Sequence, residues 1–141
     1  MFLKRTIIKL LSFLSIAIIM FSCASSKDET TPNFREAFIG QFAMAETCGS
    51  FTDTYTITNS ATDVENQIQI ANFYSLFNIK ATATSETKLS IPEQVVASSG
   101  GTEYTVSGSG TLASGQLTLN FTILRSGNST QTSCAAIGNK Q

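Results

Sequence analysis

The sequence predicts an all-β fold, an antiparallel up-and-down meander of eight or nine short strands that closes into a barrel or a flattened sandwich. Three observations predict it. From Phe38 onward apolar and polar residues alternate with a period of two. Clusters of Gly, Ser, Asn and Thr interrupt that alternation at short intervals. Hardly any stretch of the same region repeats its apolar residues at helical spacing.

The strands follow in order. Phe42 and Met44 mark the inward face of Gly40 to Cys48, and Tyr55 and Ile57 that of Thr54 to Thr58. Ile68 and Ile70 mark the next strand, then Phe77, Ile79, Ala81 and Ala83. Leu89 and Ile91 belong to a strand expected to end at Pro92, because proline has no N–H to give to a ladder. Tyr104 and Val106 follow, with Gly108 and Gly110 continuing their parity, so that this strand is expected to bend sharply or to pack against a bulky neighbour such as Phe121. The clearest alternation is Leu117, Leu119, Phe121 and Ile123, entered through the tight-turn sequence Ala113-Ser114-Gly115. A last strand carries Cys134. About eight strands enclose an interior just wide enough for packed side chains or one small ligand.

The N-terminus has the layout of an export signal: Lys4, Arg5 and Lys9 precede the apolar run Leu10 to Phe21. A spanning helix needs about 20 apolar residues, and this run stops short at Ser22-Cys23. Met20-Phe21-Ser22-Cys23 resembles the lipobox of bacterial lipoproteins, in which a peptidase cuts before a cysteine that carries diacylglycerol. The other reading is ordinary signal cleavage after Ala24, since Ser22 and Ala24 are both small. Downstream, Lys27, Asp28 and Glu29 resemble the lipoprotein export signal of Bacteroidota, which implies the outer face of the outer membrane; as a bare sequence they also suit a solvated linker. Several acyl chains on Cys23 would hold a domain stably without a spanning helix. The chain thus divides into a signal peptide (1–22), a lipidated cysteine with a flexible tether (23–35) and the barrel domain (36–141).

Without the signal, six basic residues face ten acidic ones, a formal net charge of −4. Nucleic acid is not an expected partner, because phosphate binding needs clustered Lys and Arg, whereas Lys80, Lys88 and Arg125 stand far apart. The chain has no His, which removes Ser-His-Asp triads, Cys-His pairs and His-based zinc sites. Carboxylates remain, among them Glu46, Asp53, Glu93 and Glu103, but no two form a recognisable motif. We therefore expect no enzyme, no metal and no cofactor beyond the covalent lipid. With Cys23 lipidated, Cys48 and Cys134 are left as an even pair in an oxidising compartment, and a disulfide between them is expected. It would join the two ends of the meander.

Taken together, Gly40-Gln41-Phe42 leading to Cys48, the segments "IQIANFYSLFNIKATA", "KLSIPEQ", "YTVSGSGTL" and "QLTLNFTI", and the late Cys134 resemble small Bacteroidota lipoproteins with a lipocalin-like, calycin-type β-barrel. The likeness covers nearly all of residues 36 to 140. It implies a fold and carries no catalytic residues. On it rests the expectation of a surface-exposed binding module for a small apolar ligand or a glycan. Phe73, Tyr74 and Phe77 crowd apolar surface near a turn, either as ligand contacts or as a plug that closes one end of the barrel. Glu46 and Arg125 continue the inward parity of their strands, either as polar handles at a rim or as surface charges at strand ends. The alternative is an interaction subunit of an envelope assembly, suggested by a Ser- and Thr-rich surface of low charge.

Overall fold

The computed structural model describes residues 32–141. The expected signal peptide, Cys23 and the Lys27-Asp28-Glu29 segment lie outside the described residues. Eight strands follow one another: β1 (Gly40–Cys48), β2 (Phe51–Ala61), β3 (Gln67–Phe73), β4 (Phe77–Ser85), β5 (Lys88–Ala97), β6 (Glu103–Ala113), β7 (Gln116–Arg125) and β8 (Thr132–Lys140). Each pairs antiparallel with the next, and β1 also pairs with β8, from Phe42↔Lys140 to Cys48↔Cys134. The meander is therefore a closed barrel and not a flattened sandwich, although β2 pairs with β3 only from Thr58 to Ala61 and β4 with β5 only from Thr82 to Ser85.

Alternation decides which side chains fill it. Phe42, Ile57, Ile68, Ile70, Phe73, Leu117 and Leu119 are completely buried, and full burial of each such side chain contributes roughly 1.5–3 kcal/mol. Because these residues keep no accessible surface, no water-sized void adjoins them, and the middle of the barrel is packed solid. Gly108 faces Phe121 across β6 and β7. A Cβ on Gly108 would fall 2.4 Å from Asn120 O and 2.7 Å from Phe121 Cα, so the glycine marks a close backbone approach.

The outward positions of β2 and β7 are mostly polar, with Thr54, Thr56 and Thr58 on β2 and Asn120 and Thr122 on β7. A barrel whose strands cross a bilayer has the reverse pattern, with an apolar band outside. Among the described residues no helix is long and apolar enough to cross a membrane either.

Two expectations are corrected. The fifth strand does not end at Pro92 but runs on to Ala97, with a register shift between Ile91 and Gln94. The missing N–H falls at this bulge, where the ladder has no need of it. Phe34 and Arg35, placed in the tether by sequence, belong to a 3₁₀ turn, Phe34–Phe38, that caps one end of the barrel. Phe38 is buried there, and its carbonyl accepts a hydrogen bond from Asn59 Nδ2 at 2.9 Å. The Phe34 N–H donates to Asn66 Oδ1 at 2.7 Å, and Arg35 Nη1 donates to Thr62 O at 2.8 Å. The opposite end, which holds the 49–50, 74–76, 98–102 and 126–131 connections, is the mouth.

Candidate functional site

Cys48 and Cys134 are direct partners across β1 and β8 and are joined by the expected disulfide, which straps the barrel seam at the mouth. The next inward residue on β1 is Glu46, only 3 % exposed. Its Oε2 accepts a hydrogen bond from the Tyr55 hydroxyl on β2. Its Oε1 lies 3.3 Å from Cys48 Sγ, but a disulfide sulfur has no proton to donate, so the phenol is the donor that matters. Burial pushes the Glu46 carboxyl above its ordinary pKa; the bond from Tyr55 opposes this, and the Asp53 charge adds to it. Burial first, and Glu46 second, likewise hold the Tyr55 phenol protonated far above neutral pH. Glu46 is thus a buried carboxyl and not a surface charge.

The connection between β3 and β4, residues 74–76, contains a β-turn closed by Leu76 N–H donating to Phe73 O at 3.1 Å. Its central residues, Tyr74 and Ser75, both have a φ of 55°. This is the left-handed geometry of a type I′ turn, which usually takes Asn-Gly because bulky side chains are disfavoured there. Neighbouring polar groups hold it: Ser75 Oγ donates to Asp53 Oδ2 at 3.1 Å, and Asn72 Nδ2 donates to Thr56 O at 2.9 Å. The strained turn places the Tyr74 ring stacked on Phe77 at 6.2 Å and edge-on to Phe121 at 6.4 Å between centroids. Below, Phe73 meets Phe121 at 4.6 Å, and Phe77 meets Tyr104 at 5.4 Å. Burial, helped by the Glu46 charge, raises the Tyr74 phenol above its ordinary pKa.

Over this aromatic floor lies a recess of about 280 Å³ lined by Tyr74, Tyr104, Ile123, Arg125, Asn128, Thr130 and Thr132. Of the five rim residues expected from sequence, Tyr74 and Arg125 line the recess. Phe73 and Phe77 are buried in the floor beneath it, closing the end of the barrel. Sequence reasoning missed Tyr55, Tyr104 and Asn128. One signal could have found two of them: the chain has three tyrosines and no tryptophan, and all three tyrosines meet at the mouth. The arrangement offers aromatic faces, hydroxyls, an amide and a guanidinium at the edge of a shallow cup. Among the described residues no three His, Cys, Asp or Glu side chains are grouped to hold a metal.

No protein-family model and no curated protein matches the chain. A solved structure from Bacteroides fragilis NCTC 9343, provisionally named an outer membrane protein, is similar over 77 % of this chain and 53 % of its own, with a TM-score of 0.57 and 12 % sequence identity. This chain therefore spans about half the length of that protein, and the likeness is one of fold.

Proposed function

We propose that this protein is a surface-exposed outer-membrane lipoprotein, anchored by lipid on Cys23, whose lipocalin-like barrel binds a small glycan at its mouth and catalyses no reaction. The observation that carries the binding role is the recess between Tyr74, Tyr104 and Arg125, presented by a turn in strained conformation. Strain in a turn persists where the surrounding structure holds it, and such sites are often binding sites. A glycan is favoured over an apolar ligand because the barrel interior is packed solid and the recess is edged by hydroxyl, amide and guanidinium groups. The carboxyl with the raised pKa, Glu46, is not among the residues that line the recess, which favours binding over catalysis.

The anchor reading is supported by the polar outer face, which leaves attachment to something other than the strands. The name of the Bacteroides fragilis neighbour is in line with an outer-membrane location. Protease shaving of intact cells tests the location: the protein should be cleaved from the surface, and a Cys23→Ala variant should be shed into the medium. Equal shedding of both would refute the anchor. A glycan panel tests the binding, with retention expected for the native protein and lost in Tyr74→Ala and Arg125→Ala.

A second reading has its own observation. The outward positions of β7, β8, β1 and β2 carry no charged side chain, and Ile137 among them is 48 % exposed. Charge is depleted at the cores of protein interfaces, so this face suits an envelope partner. Crosslinking on intact cells that recovers a stoichiometric partner through this face, and no glycan, would favour it.

A further inference from the structure

Tyr104 and Arg125 stand directly opposite one another on β6 and β7. Both line the recess of about 280 Å³, and both also line a second one, of about 160 Å³, with Glu103, Thr105, Leu124 and Ser126. Thr105 and Leu124 belong to the outward set of their strands, so this second recess lies on the outer side of the rim. The Tyr104–Arg125 pair is therefore a ridge with a cup on either side. Neither cup alone reaches the ~300 Å³ at which pockets begin to enclose a ligand of moderate size, whereas the two joined across the ridge do. The chemistry along the ridge is balanced. Among the described residues no carboxylate lies within ion-pair distance of Arg125, so its fork keeps donors free. Glu103 supplies acceptors beside it, and Thr105 and Ser126 supply hydroxyls. Donors and acceptors of opposite charge next to an aromatic ring suit adjacent hydroxyl groups on a neutral ring. An acidic ligand would gain from Arg125 but lose to Glu103.

We infer that the mouth takes a neutral glycan of at least two sugar units, laid across the Tyr104–Arg125 ridge with one unit in each cup. This rests on the glycan-binding reading of the mouth and adds the length, the charge and the direction of the ligand.

The test is an NMR titration of the mature chain carrying Cys23→Ala, with matched probes: glucose and cellobiose, galactose and lactose, N-acetylglucosamine and chitobiose. For at least one pair the disaccharide should bind about tenfold tighter than its monosaccharide, shifting the amides of Thr105 and Ser126 together with those of Thr130 and Thr132. Ser126→Phe, an exposed turn substitution that fills the outer cup, should abolish that advantage. Equal affinity within every pair, with shifts confined to Thr130 and Thr132, would overturn the two-unit inference and leave the mouth as a glycan site. Preference for digalacturonic acid over every neutral disaccharide would overturn the neutral ligand. Absence of any shift at the mouth with all probes would overturn both this inference and the reading beneath it.

Discussion

Glu46 and Tyr55 form a hydrogen-bonded pair across β1 and β2 in which a phenol is the protein donor to a carboxyl buried beside the Cys48–Cys134 bridge. One bond does not replace the water that such a group gives up, and desolvation raises its pKa. A raised folded pKa means that the native state holds this proton more tightly than the unfolded chain does. The contribution of Glu46 to stability is therefore fully present below the unfolded value near 4.5 and is lost as the pH rises through the folded one. Glu46→Gln should flatten the fall in Tm as the pH rises above that unfolded value. A slope unchanged by the substitution would show that Glu46 does not set it.

The bridge should be the largest single covalent contribution to the stability of the fold. Cys48 and Cys134 are 86 residues apart in sequence, and closing so long a loop stabilises by roughly 4–5 kcal/mol on the chain-entropy model. Urea unfolding of the Cys48→Ser/Cys134→Ser double variant should show a loss of that order. A loss below about 1 kcal/mol would mean that the seam hydrogen bonds between β1 and β8 hold the barrel shut unaided.

Gly108 is required by the approach of β7. A methyl group there would sit 2.4 Å from Asn120 O, and backbone cannot swing aside as a flexible side chain can. Gly108→Ala should cost about 1–3 kcal/mol. Gly100→Ala is the control, since its nearest neighbour would be Ser98 Oγ at 4.0 Å and its Tm should barely move.

Tyr74 separates folding from function. Asn tolerates the left-handed conformation that this turn position requires, so Tyr74→Asn keeps the turn and removes only the ring. Stability should fall by about 1 kcal/mol, the scale of the lost aromatic contacts. Glycan affinity should fall at least about tenfold. Native affinity in this variant would remove Tyr74 from the site.

Most of the strand pattern was legible in the sequence because alternation is a property of a single strand: Leu117, Leu119, Phe121 and Ile123 announce their face without reference to any neighbour. The site was less legible because it is made by register. Glu46 meets Tyr55 only once β1 and β2 are paired and the mouth is closed, and an isolated glutamate near a strand end reads as solvated. Tyr104 and Arg125 are 21 positions apart and become neighbours only through the β6–β7 pairing. The Phe34–Phe38 cap has no periodicity to reveal it, since five residues make less than two full turns of 3₁₀ helix. Pro92 misled because a proline inside a bulge and a proline at a strand end look alike in sequence.

Intrinsic fluorescence reads glycan binding at the mouth directly. The chain has three tyrosines and no tryptophan, and Tyr55, Tyr74 and Tyr104 all stand at the mouth, so the signal of the native protein reports on that end of the barrel. Titration of the mature Cys23→Ala chain with the neutral disaccharides should give a saturable change in tyrosine emission that Arg125→Ala weakens at least about tenfold. A flat response to every glycan, or a response that Arg125→Ala leaves untouched, would contradict a glycan-binding mouth.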